Sequence, residues 1–284
     1  MNTEMNNASG TLWVVATPIG NLEDLTPRAQ RILAQAAVIA AEDTRISARL
    51  PGVDGTARMV SLHEHSDEAR IERLIDDLRA GVDVALVSDA GTPLISDPGF
   101  QLVSAAHDAG IAVRTVPGPS AAIAALSVAG LPTDRFLFEG FLPARSSARQ
   151  RRLQTLAAEP ATLIFYVPAR DLDAVLADMT EIFGPARQAT LARELTKLHE
   201  TVRRDSLAAL REWIAADKNQ QRGEAVLVVA GSADDNSKSS VEAETLARTL
   251  ARELPPSRAA KVLAKLAGMT RKQAWEMIES FKEG

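Results

Sequence analysis

Cysteine is missing from all 284 residues, which excludes disulfides, thiolate zinc sites and cysteine nucleophiles together. Such a chain suits a reducing cytosol. Neither G-x-G-x-x-G nor G-x-x-x-x-G-K-S/T occurs, so the usual dinucleotide and Walker phosphate cradles are missing as well. No hydrophobic run approaches the length of a bilayer span; the most apolar window, Ala121 to Gly130, is short and rich in alanine. The opening MNTEMNNASG lacks a basic start followed by an apolar stretch, so no signal peptide is expected. An excess of positive charge is also lacking, for the net charge is −5 and the pI about 5.5. Counterion release favours basic proteins on naked nucleic acid, which argues against a general nucleic-acid binder. A local basic face, or a folded ribonucleoprotein target, stays compatible with that balance. What is present, 46% hydrophobic and 24% charged residues, is the mix of a soluble globular protein, here expected in the cytoplasm.

Apolar runs of strand length alternate with amphipathic stretches of helix length. Strands are expected at Leu12–Ala16, Ala37–Ala41, Ala57–Leu62, Val84–Ser88 and Ile111–Val116, with helices between them. Asp67–Arg79 places Ile71, Leu74, Ile75 and Leu78 at helical spacing. Such alternation implies a mostly parallel sheet with helices on both faces. Near residue 118 the pattern restarts with Phe136–Leu142, Thr162–Val167, Ala189–Arg193, the alternating His199–Leu207 and Ala225–Gly231, which suggests a mixed sheet. The expected fold is therefore α/β in two domains, 11–117 and 118–231. The Ser- and Asn-rich 232–240 reads as a linker, and 241–284 as a helical extension.

Three loops share one design, in which an apolar strand ends, glycine and proline follow, and a helix begins. They are TPIGNLEDLTP after Ala16, DAGTPLISDPG after Ser88 and PGPSAA after Val116. Thr26 before Pro27, and Asp97 before Pro98, read as N-caps ahead of a proline at the first helical position. In a parallel sheet all three loops emerge at the carboxyl ends of the strands, where open α/β sheets bind ligands. With little charge in these loops, a ligand held by backbone groups is favoured over a polyphosphate.

These blocks, together with AAEDTR (Ala40–Arg45), FEGFLP (Phe138–Pro143), YVPAR (Tyr166–Arg170) and RELTKLHE (Arg193–Glu200), resemble the tetrapyrrole-methylase superfamily. Within it they are similar to the branch that methylates the 2′-hydroxyl of a cytidine in 16S rRNA of the small ribosomal subunit. The resemblance runs from about Leu12 to Gly231. It implies a two-domain methyltransferase fold, S-adenosyl-L-methionine as methyl donor in the cleft between the domains, and a homodimer. It places cofactor contacts at Pro18 and Ile19, at Asp89, Ala90, Gly91, Thr92 and Ile95, at Ser120 and Ala121, at Val167 and at Ala225. YVPAR departs from the glutamate-serine form usual in that branch, and Ser66 stands where asparagine is common.

A ribose hydroxyl is protonated at neutral pH, so a general base or an alkoxide-stabilising cation helps the transfer. The candidates are Glu42, Asp43, Arg45, Glu194 and Lys197, with no choice among them. Asp43 and Glu42 equally suit the start of a helix, and Glu194 and Lys197 a surface ion pair. His63-Glu64-His65 lacks a third ligand, so no metal is expected. Arg145, Arg149, Arg151 and Arg152 are expected to hold rRNA phosphates. Arg203 and Arg204, and Arg258, Lys261, Lys265, Arg271 and Lys272 in the tail, form two further basic groups. A small-molecule methylase, or an inactive ribosome-assembly factor, are the alternative readings.

Overall fold

The computed structural model describes residues 9–63, 68–232, 236–267 and 269–281. The first sheet holds β1 (Thr11–Val15), β2 (Val38–Ala41), β3 (Arg58–Ser61), β4 (Val84–Val87) and β5 (Ala112–Val116), in the order β3-β2-β4-β1-β5. Every pairing in it is parallel. The central strands β2 and β4 read VIAA and VALV and are buried throughout, as strands covered on both faces must be. Helix α1 (Pro27–Gln35) covers one face, with the Thr26 side chain accepting from the Ala29 N–H and Pro27 at the start. Helix α2 (Thr44–Ser47) follows β2. Helices α3 (Glu68–Arg79) and α4 (Phe100–Asp108) cover the other face, α3 through Ile71, Leu74, Ile75 and Leu78.

Strand β1 lies between β4 and β5, so the chain direction across the sheet reverses beside it. That switch opens a crevice at the strand ends. The loops after β1 and β4 are locked there by a reciprocal pair of hydrogen bonds between Thr17 and Gly91, at 2.8 and 3.1 Å.

Helix α5 (Ala121–Val128) follows β5 but packs through Ala122, Ala125 and Leu126 on the second sheet. That sheet comprises β6 (Phe136–Phe141), β7 (Thr162–Pro168), β8 (Gln188–Arg193), β9 (Thr201–Ser206) and β10 (Glu224–Val229), ordered β6-β7-β10-β8-β9. Only β6 and β7 run parallel; β7–β10, β10–β8 and β8–β9 are antiparallel. Its far face is covered by α6 (Ser146–Leu156), α7 (Leu172–Phe183) and α8 (Leu207–Ala216) around Phe165 and Leu227.

The tail forms α9 (Asn236–Glu253), α10 (Pro256–Ala267) and α11 (Arg271–Ser280), which bury Ala243, Ala247, Leu263 and Ile278 among themselves. Helix α9 begins inside the segment expected as a linker. Once Ala247 and Ala243 are buried against α10 and α11, helix propagation carries the backbone back through a run whose own propensity is poor. The other correction concerns Asp97. Helix α4 starts at Phe100 with Gly99 as N-cap at φ 130°, so Asp97 caps nothing. Residues Leu94 and Ser96, at φ 74° and 67°, turn the loop so that Asp97 meets a cavity instead.

Candidate active site

The loops after β1, β4 and β5 enclose, with the edge of the second sheet, a cavity of about 290 Å³. Ile19, Ala90, Gly91, Thr92, Ile95, Ser120 and Ala121 form one wall. Phe141, Tyr166, Ala192, Leu195, Ala225 and Val226 form the other, with Glu194 and Lys197 at the rim. The wall is mostly apolar and backbone, the character of a small-molecule site with few orienting polar groups. Thr92 Oγ1 donates to the Pro119 carbonyl at 3.0 Å, tying the second loop to the third. The Tyr166 hydroxyl accepts from the Ala122 N–H at 3.3 Å, tying α5 to the second sheet. Gly91 has φ 86° and its bare Cα faces Ile19; an L side chain there costs about 1–2 kcal/mol in backbone strain.

All four non-glycine residues with positive φ among the described residues belong to two loops at this cavity: Leu94 and Ser96, then Glu194 and Thr196. Each such residue costs on the order of 1–3 kcal/mol, and such strain gathers where chemistry needs a fixed geometry. The second loop is held down by Glu194. Its carboxylate accepts from Lys197 Nζ at 2.8 Å and from the Glu224 N–H at 3.0 Å. Burial pushes its pKa up, but those two hydrogen bonds outweigh it and hold the group below the usual carboxylate range. The side chain lies so close over Gly223 that a Cβ there would sit 2.2 Å from Glu194 Oε1.

A second cavity, of about 620 Å³, opens beyond the first and shares Ser96 and Asp97 with it. Glu42, Leu62, His63, Ile71 and residues 98–102 line the rest. A third hollow carries Glu42, Asp43, Arg45, His63 and Asp89. Asp97, half-buried where the first two cavities meet, has its pKa pushed up to about 6. Burial is the main cause, then the charge of Glu42; Ser88 opposes by hydrogen bonding and Asp89 adds a little. Glu42 is raised too, by burial and then by Asp89, with His63 pulling the other way. Asp43 behaves oppositely. It is the N-cap of α2, and the Arg45 guanidinium chelates it at 2.6 and 3.0 Å, which holds its pKa far below the usual range.

Of the expected cofactor contacts, Ile19, Ala90, Gly91, Thr92, Ile95, Ser120, Ala121 and Ala225 line the first cavity. Three do not. Pro18 is buried and absent from the cavity lining. Asp89 turns away to accept from the Asp43 N–H at 2.9 Å. Val167 packs into the core on the opposite face of β7, because its neighbour Tyr166 takes the cavity face and strand side chains alternate. The catalytic candidates are split among three places: Glu194 and Lys197 at the first cavity, Glu42 between the second and third, Asp43 and Arg45 paired at the third. Not among the expected contacts are Asp97, which local pattern casts as a cap, Ser96, Phe141 and Tyr166, which lie within the family-resembling blocks but are given no contact, and Phe100, which carries no local signal. Glu64, His65 and Ser66 lie outside the described residues; the His63 ring nitrogen sits 2.8 Å from Ser61 Oγ.

The arginine group needs a further correction. Arg149 is 5% exposed and donates to Asp178 at 2.6 Å and to the Pro143 and Ala144 carbonyls at 3.4 and 3.1 Å. Desolvated and paired, it is a structural residue and offers RNA nothing. Arg152 is tied to Glu139 by two hydrogen bonds at 2.8 and 2.9 Å. Arg145 and Arg151 are exposed, as are Arg258, Lys261, Lys265, Arg271 and Lys272 in the tail.

A family model described as Tetrapyrrole (Corrin/Porphyrin) Methylases matches residues 11–211. The chain belongs to that family. This methylase is 53% identical over 264 residues to a Xylella fastidiosa protein named ribosomal RNA small subunit methyltransferase I, spanning 93% of this chain and 97% of that one. It is 52% identical to the Pseudomonas aeruginosa protein of the same name, over 92% and 94% of the two chains. A crystal structure of uroporphyrin-III-C-methyltransferase from Thermus thermophilus superposes with a TM-score of 0.54 at 26% identity, over 78% of this chain and 94% of that one. A conserved hypothetical protein from Aeropyrum pernix, 20% identical, shares the fold over 97% of this chain and 98% of its own, with a TM-score of 0.57. That span takes in the helical tail of the methylase. No described helix is long and apolar enough to cross a membrane.

Proposed function

We propose that this methylase transfers the methyl group of S-adenosylmethionine to the 2′-hydroxyl of a cytidine in 16S rRNA of the small ribosomal subunit. The observation that carries the reading is the cavity at the strand ends, set in a chain more than half identical to named rRNA methyltransferases along almost its whole length. The donor suits that cavity: the side chains of Tyr166, Val226 and Ile19 offer apolar surface for a purine, and backbone groups at Ala90, Gly91, Thr92, Ser120 and Ala121 suit its polar ends. It supplies an activated methyl group. The chain's own work is to align a hydroxyl with it, exclude water and take up a proton. The units 11–117 and 118–231 close on the donor as two domains, and 241–284 extends the surface that meets RNA through its exposed Lys and Arg side chains. An acidic chain suits an assembled particle, where RNA and protein are presented together, better than naked RNA. The same reading makes the protein a cytoplasmic homodimer.

The test is transfer of tritium from labelled S-adenosylmethionine to small-subunit particles and to naked rRNA, with nuclease mapping of the label. Label on a cytidine ribose, stronger on particles, is the expected result. Cofactor binding by calorimetry with no label on either acceptor would overturn the reading. Light scattering checks the dimer.

A further inference from the structure

We infer that Asp97 is the group that takes the proton from the acceptor hydroxyl, with the acceptor nucleoside seated in the second cavity. This rests on the rRNA reading above. The geometry makes the assignment, because Ser96 and Asp97 are the residues common to both cavities. A donor in the first and a hydroxyl presented from the second meet at those two side chains, and Asp97 alone of the two is a base.

The competing carboxylates are engaged or misplaced. Glu194 is held by Lys197 and the Glu224 N–H, and Asp43 by Arg45. Asp89 accepts from the Asp43 N–H and lies outside the first two cavities. Glu42 lines the second cavity but not the first, and Glu224 the first but not the second. The charge of Glu42 faces Asp97 and helps hold it protonatable near neutrality, where a general base works best. The other polar groups around Asp97 are Ser88 at the end of β4, Asp89 after it and Tyr166 on β7.

The loop that carries Asp97 is built to aim it. Leu94 and Ser96 sit at positive φ on its amino side and Gly99 on its other side. The loop packs against the second sheet at the β6 bulge, where a Cβ on Gly140 would be 3.0 Å from Ser96 Oγ. The second cavity also selects its occupant. Its described lining holds Glu42 and Asp97 and no lysine or arginine, so phosphates stay outside and the uncharged sugar and base enter. Phe100, 73% exposed at its rim, offers the flat apolar face on which a splayed base stacks.

The step balances. As the 2′-oxygen bonds to the donor's methyl carbon, the bond from that carbon to sulfur breaks with its electron pair on sulfur. The hydroxyl proton passes to Asp97 Oδ and later to solvent. The products are the 2′-O-methyl ribose and S-adenosylhomocysteine.

The experiment compares wild type, Asp97→Asn and Asp97→Glu on small-subunit particles in single-turnover methyl transfer from pH 5 to 9. Calorimetry of S-adenosylhomocysteine binding and a ¹³C carboxyl NMR titration of the free protein accompany it. The expected result is a wild-type rate that rises through about pH 6, and a loss of about 10²–10⁴-fold in Asp97→Asn without that limb. Asp97→Glu recovers part of the rate, S-adenosylhomocysteine affinity stays within a few-fold, and a resonance titrating near 6 disappears in Asp97→Asn. An unchanged rate and pH limb in Asp97→Asn, beside a labelling wild type, overturns the assignment and leaves the rRNA reading standing. So does a variant that has lost only S-adenosylhomocysteine affinity and transfers normally at saturation. A wild type that labels no rRNA overturns both.

Discussion

Replacing Arg149 with alanine separates a structural arginine from an RNA-binding one. The side chain is 6% exposed and its partner Asp178 is 9% exposed. Removing the guanidinium strands a buried carboxylate, a loss that runs to about 3–5 kcal/mol in comparable pairs. Two features set the value here. Asp178 keeps the Ser146 hydroxyl at 3.0 and 3.1 Å and the Gln150 amide at 2.9 Å, which lowers the cost. The Pro143 and Ala144 carbonyls lose a donor, which raises it by on the order of 1 kcal/mol. The balance is a destabilisation of about 3–4 kcal/mol, or a fall in Tm of about 6–16 °C for a body of this size. Calorimetric unfolding at pH 7 measures it. Arg151→Ala is the control, because its side chain is exposed on the same helix and such a surface substitution shifts stability by about 0.5 kcal/mol or less. The double variant Arg149→Ala/Asp178→Ala should lose less than the sum of its two single variants, since the stranded charge goes with its partner. A Tm change below 2 °C in Arg149→Ala, joined to a weaker salt dependence of particle binding, would falsify the structural assignment.

Three other outcomes are expected. Asp97 has a folded pKa raised to about 6, so stability is fullest below its unfolded pKa near 4 and declines as pH rises through about 6. Asp97→Asn should therefore flatten that decline and add about 1 kcal/mol at pH 8 in urea unfolding, a figure already discounted for the group's partial exposure; no change in midpoint counts against the raised pKa. Gly91→Ala should cost about 1–2 kcal/mol of stability through its φ of 86° and weaken S-adenosylhomocysteine binding in calorimetry, whereas unaltered affinity would move the donor elsewhere. Ending the chain after residue 232 should leave S-adenosylhomocysteine affinity within about twofold while labelling of particles drops, because the tail buries its core on itself and presents exposed Lys and Arg side chains. Loss of the soluble, cofactor-binding body on truncation would show that the tail supports the fold.

Much of this molecule follows from local pattern. Ile71, Leu74, Ile75 and Leu78 recur at helical spacing and all four are buried in α3. Thr26 and Pro27 mark a helix start that the Thr26 side chain then caps. VIAA and VALV, apolar at every position, are the fully covered central strands. The three glycine- and proline-bearing loops come to one edge because parallel strands joined by helices leave their carboxyl ends together, and eight of the expected contacts line the cavity there. Tertiary structure alone decided the rest. Asp97 stands where a cap belongs, yet Leu94, Ser96 and Gly99 turn it toward two cavities. Arg149 looks like its exposed neighbours Arg145 and Arg151 until Asp178, 29 residues away, draws it into the core. Val167 and Tyr166 are adjacent, and only the packing of the second sheet says which of them faces the cavity. Periodicity and caps are properties of a few neighbouring residues, so the sequence carries them openly. The charge state and facing of a side chain depend on burial and on partners brought in from distant parts of the chain, and those exist only once the fold has formed.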